Sequence, residues 1–225
     1  MLSITKENIF HDPFKYTFFR NFLDKQQAST MLENFPDLND KIWDNKGKLY
    51  DTAYGKKKEL TDIASMHSSY HEFFNLVFDK QFIDQLSEVF KIPNLFGDEK
   101  LYGGGLNIYE SGSKLDPHID FNYNNELEAY RAINLLYYLN PDWSLEKGGN
   151  LQLYSSDEIL VKEIVPELNC CVAFASNNKT LHGVSEIVKG ERKSIGLWYY
   201  SKIPPADVSK IPSKTKWLNM KKEGV

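Results

Sequence analysis

The chain lacks the residues that would commit it to several common protein classes. It has two cysteines in 225 residues. They are neighbours, Cys170 and Cys171, and a disulfide between adjacent residues is strained. A disulfide-stapled secreted scaffold is thereby disfavoured, and the expectation is a cytoplasmic protein with reduced thiols. Both cysteines fall in the apolar run "NCCVAFA" and read as core. No apolar run is long enough to span a bilayer. The opening "MLSITKENIFHDPF" lacks the basic-then-apolar pattern of a signal peptide, so no membrane partner is expected. Basic residues are not in excess. A net charge of −4 and a pI near 5.8 argue against a nucleic-acid partner, which needs a basic face. The run Lys56-Lys57-Lys58 and the basic tail from Lys214 onward read as solvated segments. There is no internal repeat and no low-complexity stretch, and nothing sets an oligomeric state.

What is present is an ordinary globular balance, 41% hydrophobic and 26% charged, with a generous 14% aromatic. That suits a single domain over 1–225 whose flat side chains line a core and a cleft. Residues 1–95 read as a helical and loop layer. In "LDKQQASTMLENFP", Ala28, Met31, Leu32 and Phe35 share a helical face, Asp24 is an N-cap, and Pro36 stops the run. A second helical region from Ser69 to Phe90 has a break near Asp79. The intervening polar and aromatic stretch around Trp43, Tyr50 and Tyr54 reads as a mobile loop or irregular hairpin over the cleft.

From 96 to 203 the texture changes to short strands: "LYGGGLNIY", "RAINLLYYL", "NLQLY", "ILVKEI", "CCVAFA" and "SIGLWYYS". Their spacing, with no helical period between them, predicts a barrel or sandwich. The "GGG" at 103–105 has no helix after it, so it reads as a bulge or a close backbone approach rather than a phosphate loop. Residues 204–225 read as a C-terminal tail.

Only five histidines occur, and one sits in "DPHIDFN". On an extended segment His118 and Asp120, two apart, point the same way. His182, in "KTLHGVSEI", follows 64 residues after His118 (182 − 118). Two imidazoles and a carboxylate can hold one face of an octahedral iron and leave the other face open, although the set also suits zinc. Arg192 lies ten residues beyond His182 (192 − 182), with Ser194 on the same strand face. Its guanidinium fork matches a carboxylate, which points to a dicarboxylate co-substrate if no protein carboxylate reaches it. His67 and His71, at i and i+4, could in principle share a metal but lack the surrounding pattern. His11 has no visible partner.

These motifs, with "RAINLLYYLNPDWSLEKGGNLQLY", "LHGV" and "RKSIGLWYYS", resemble the Fe(II)/2-oxoglutarate dioxygenases, in their prolyl 4-hydroxylase-like branch, over roughly residues 100 to 202. The resemblance implies an α+β fold: a double-stranded β-helix, jelly-roll or cupin-like, with N-terminal helices packed on its major sheet. It implies a catalytic iron triad of His118, Asp120 and His182, and Arg192 as anchor for the far carboxylate of 2-oxoglutarate. Tyr138 shares that carboxylate, with Tyr137 as the alternative if the strand is bulged. Leu136 and Leu151 form apolar walls, Trp198 lies near the metal or in the core, and Tyr109 falls near a pocket tyrosine. The implied cofactors are Fe(II), 2-oxoglutarate and O2, with ascorbate as a reductant. Retention of Asp120, which related halogenases replace, favours hydroxylation. The expected substrate is a prolyl residue of a peptide or protein, or a related amino acid. The alternatives are a small-molecule, natural-product or glycan intermediate, a metal-binding module without turnover, and a zinc hydrolase.

Overall fold

The computed structural model describes residues 3–52, 55–208 and 211–218. Among the described residues, four α-helices lie in the first ninety: α1 (Lys25–Glu33), α2 (Ile42–Lys46), α3 (Ser68–Phe78) and α4 (Lys80–Phe90). The same segment contributes strands β1 (Ile9–Phe10), β2 (Tyr16–Phe19), β3 (Lys48–Thr52) and β4 (Gly55–Leu60). Then follow β5 (Leu95–Gly97), β6 (Gly105–Tyr109), β7 (Leu115–Ile119), β8 (Tyr123–Asn124) and β9 (Ala129–Tyr138). The remainder are β10 (Leu151–Tyr154), β11 (Leu160–Ile164), β12 (Cys170–Ala175), β13 (His182–Val184), β14 (Arg192–Ser201) and β15 (Lys216–Trp217).

All strand pairs are antiparallel and form two sheets. The major sheet runs β1-β2-β12-β9-β14-β6-β4-β3, and the minor sheet runs β11-β10-β13-β7-β15. Each of the six strands read from the sequence is present, in a two-sheet sandwich as their spacing implied and with the jelly-roll form that the resemblance implied. Strand alternation sorts the core into two layers. From β9, Ile133, Leu135 and Tyr137 join the helices in one cluster. Tyr138 turns the other way, packing with Leu136 against Leu151, Leu153 and Ile164 of the minor sheet.

The helices pack on the major sheet for reasons visible in their ends and faces. Asp24 caps α1, its side chain accepting from the Gln27 amide at 2.9 Å. Asp79 has extended backbone, ends α3 and caps α4, accepting from Gln81 N at 2.8 Å. The expected break is therefore a capped corner between two helices. The Phe73 ring packs at a tilt against Tyr137, 5.0 Å between ring centres, and the Tyr199 hydroxyl donates to Val77 O at 2.7 Å. Each fully buried aromatic there is worth ~1.5–3 kcal/mol.

Three expectations need correction. Residues 1–95 are not only helix and loop, since β2 pairs with β12 and β4 with β6 inside the major sheet. The stretch around Trp43 forms α2 and the β3–β4 hairpin. Trp43 itself is fully buried, donating to Asp37 O at 2.7 Å, so it serves the core and not the cleft; Tyr54 lies outside the described residues. The lysine run is a strand, and Lys57 turns inward to pair with buried Glu59 at 2.5 Å. Charge made that run look solvated, but on a strand every second side chain faces in, and here the inner face is polar.

Cys170 and Cys171 are buried and unbridged, one on each face of β12. Burial pushes the Cys170 thiol up to about 12, and raises Cys171 too. The thiolate is the reactive form. Native protein at pH 8 should therefore leave a chromogenic disulfide reagent unreacted, and both thiols should titrate at once in guanidinium.

Candidate metal and co-substrate site

His118 lies on β7, paired directly across from His182 on β13, and Asp120 is the first residue after the strand ends. Their ligand atoms lie within 4.8 Å of one another. His118 Nε2 is 3.5 Å from Asp120 Oδ1, and His182 Nε2 is 3.5 Å from Asp120 Oδ2. Each imidazole turns its Nδ1 to a backbone carbonyl, His118 to Asp116 O at 2.9 Å and His182 to Thr180 O at 3.0 Å. A carbonyl only accepts, so Nδ1 carries the proton and Nε2 offers its lone pair to the shared space.

Electrostatics set His182 and Asp120 in the ligating state. Burial pushes His182 down to about 4, with His118 adding to the shift, so its imidazole is neutral at pH 7. Burial alone would raise the Asp120 carboxyl, but Arg131, His182 and His118 outweigh it and hold the group far below the usual carboxylate range. Two imidazole Nε2 atoms and an ionised carboxylate fit a divalent cation.

Arg192 is 4% exposed, and among the described residues no carboxylate pairs with it. Its Nε donates to Gly149 O at 2.8 Å and its Nη1 to Ser194 Oγ at 3.3 Å. The guanidinium lies 5.0 Å from the Tyr138 ring centre and 5.5 Å from that of Tyr109. The Tyr138 hydroxyl is buried without a partner, its pKa pushed up to about 12 by burial, with Arg192 opposing. A Cβ at Gly149, where φ is +67°, would meet Arg192 Cδ at 2.8 Å. The second glycine of "KGGN" thus makes room for the arginine. Gly105 answers the question of the triple glycine, since a Cβ there would sit 2.1 Å from Leu60 O.

One cavity of about 370 Å³ joins these groups, within the ~300–1,000 Å³ range of small-molecule sites. Tyr109, Leu136, Leu151, Ser194 and Trp198 line it with the triad and Arg192. Tyr138 does not line the cavity; it packs beside Arg192 on the face shared with Leu136, whereas Tyr137 points into the helix layer, its hydroxyl donating to Asn169 Oδ1 at 3.0 Å. His67 and His71 do not share a metal: His67 caps α3 and His71 Nε2 meets Ile63 O at 2.8 Å.

Tyr50, expected over the cleft, does line the cavity, and the wall residues that the sequence did not mark include Lys57, Arg131, Asn134, Phe174 and Trp217. The tail expected to be solvated adds β15 to the minor sheet, with Trp217 opposite His118 and their rings 4.8 Å apart. Phe174 packs edge-on to His182 at 4.7 Å. Asn134 alone left a signal: a polar residue inside the otherwise apolar and aromatic run from Ala132 to Tyr138.

Residues 104–200 match the 2OG-Fe(II) oxygenase superfamily. That segment is similar to this superfamily, whose name specifies 2-oxoglutarate and Fe(II), and the two sheets form the double-stranded β-helix fold of solved prolyl hydroxylases. Prolyl 3-hydroxylase OGFOD1 of Mus musculus is 31% identical over 172 residues, 67% of this chain and 30% of that protein. The chain thus spans less than a third of that curated relative. A prolyl-4-hydroxylase of Pseudomonas putida superposes with a TM-score of 0.62 at 14% identity, covering 82% of this chain and 91% of the other. A prolyl hydroxylase of Trichoplax adhaerens, solved with a hypoxia inducible factor peptide fragment, gives 0.62 at 22% identity, covering 87% of each chain. Among the described residues no helix is long and apolar enough to cross a membrane.

Proposed function

We propose that the protein is an Fe(II)- and 2-oxoglutarate-dependent oxygenase that hydroxylates a prolyl residue of a peptide or protein, with O2 as oxidant and ascorbate as an auxiliary reductant. His118, Asp120 and His182 hold the iron. Arg192, Ser194 and Tyr138 take the far carboxylate of 2-oxoglutarate, and Tyr109, Leu136, Leu151 and Trp198 wall the pocket. Iron and 2-oxoglutarate, once bound, supply the oxidising power, with succinate and CO2 as co-products. The chain's own residues orient and shield: the two imidazoles turn Nε2 to the metal, and Phe174 and Trp217 cover their rings.

The observation that carries this reading is the buried Arg192 without a carboxylate partner, beside an orphaned tyrosine hydroxyl. A buried guanidinium needs an anion to offset its desolvation, and a zinc hydrolase or a bare metal-binding module gives it no task. The prolyl substrate rests on the names of the relatives. The chain acts as one domain, a view favoured by the continuous core from α3 and α4 to β9 and β14. The two free, buried thiols are consistent with a cytoplasmic setting.

Anaerobic titration with Fe(II) and then 2-oxoglutarate should give a weak visible charge-transfer band. Admitting O2 should then yield succinate, faster with a peptide substrate drawn from a proline-scanning library. Iron bound without a band on adding 2-oxoglutarate would turn the reading to a metal-binding module.

A further inference from the structure

Asp120 is held by two donors behind the metal face. Asn134 Nδ2 donates to Asp120 Oδ2 at 2.7 Å, and Arg131 Nη2 reaches the same oxygen at 3.0 Å. Asn134 also ties these two together, its Oδ1 accepting from Arg131 Nε at 2.8 Å. The three side chains close a ring of cation, amide and anion. Its polarity is forced. A guanidinium can only donate and an ionised carboxylate can only accept, so the neutral amide must turn its oxygen to Arg131 and its nitrogen to Asp120. Arg131 is 4% exposed and fixed from above by the Trp198 ring, 3.9 Å away, and by Phe121 at 4.7 Å. Asn134 is 1% exposed, so water does not compete for these bonds.

We propose that Asn134 is a positioning residue for the metal centre, dedicating Asp120 Oδ2 to the protein so that Oδ1 alone is presented to the metal. This rests on the reading of His118, Asp120 and His182 as metal ligands. A carboxylate free to swing could take a cation through both oxygens and occupy a further position of the open face that 2-oxoglutarate and O2 require. Asn134 prevents this through geometry. It sits on β9 opposite Trp198 of β14 and Phe174 of β12, so its backbone is fixed from both sides. Arg131 supplies the charge and Asn134 supplies the direction.

The test uses the full chain with Co(II), whose absorption reports coordination. Asn134→Leu keeps the volume and loses both bonds. Asn134→Thr favours the strand and keeps a hydroxyl too short to span both partners. Both should bind Co(II) about 10- to 100-fold more weakly than the parent, the usual effect of removing support behind a ligand. Their Co(II) d–d bands should shift as the carboxylate changes mode, a change that looser packing alone would not produce. Should Asn134→Leu fail to fold, Asn134→Thr decides. Variants that fold, bind Co(II) within twofold of the parent and give superposable spectra would overturn the proposal. If the parent itself does not bind Co(II), or His182→Ala binds it equally well, the ligand assignment fails instead.

Discussion

His182→Ala should abolish tight iron binding while the chain stays folded. The ring is 6% exposed and meets its partners through few contacts: Thr180 O through Nδ1, and the rings of His118 and Phe174 at its sides. Its removal leaves the Thr180 carbonyl without that donor, at a cost of ~1–3 kcal/mol, within the 5–15 kcal/mol of a typical domain. The metal has no such reserve. One of three protein ligands is gone, and the loss should exceed the ~10- to 100-fold effect of a group merely behind a ligand. Titration with Fe(II) or Mn(II) by calorimetry, with circular dichroism for the fold, checks this. An unchanged affinity in folded variant protein would remove His182 from the metal site.

Arg192→Ala should separate the two cofactors. The guanidinium makes no contact with His118, Asp120 or His182, so metal affinity should change little. Truncating one partner of a buried, hydrogen-bonded charge pair costs ~2–5 kcal/mol, so 2-oxoglutarate should bind at least about 30-fold more weakly. The charge-transfer band then appears only at high co-substrate concentration. Arg192→Lys should fall between, because a point charge cannot reproduce the two-pronged fork that Tyr109 and Tyr138 flank. Equal losses of metal and 2-oxoglutarate binding in folded Arg192→Ala protein would set the anchor assignment aside.

Much of this site was legible before any fold was known. Strand periodicity is two, so "HID" put His118 and Asp120 on one side, and "RKS" did the same for Arg192 and Ser194. The same rule set Leu136 and Tyr138 together, with Tyr137 open as the alternative until the structure turned it to the helices. Helix ends were equally plain where a single side chain decides them, as Asp24 and Asp79 do.

Other features are properties of neighbours and not of segments. Lys57 looked solvated because lysines usually are, yet its ammonium lies 5.7 Å from the Tyr109 ring centre and pairs with Glu59. Trp217 sat in a basic tail, and only its pairing with β7 brings it over His118. Arg131 and Asn134 carry no local mark of their bond to Asp120, which lies on a different part of the chain. The sequence by itself determined which groups can ligate a metal or grip a carboxylate, because that chemistry belongs to the side chain and its strand face. The tertiary structure decided what stands behind and above them, because cross-strand register and sheet closure set distances that no local pattern encodes.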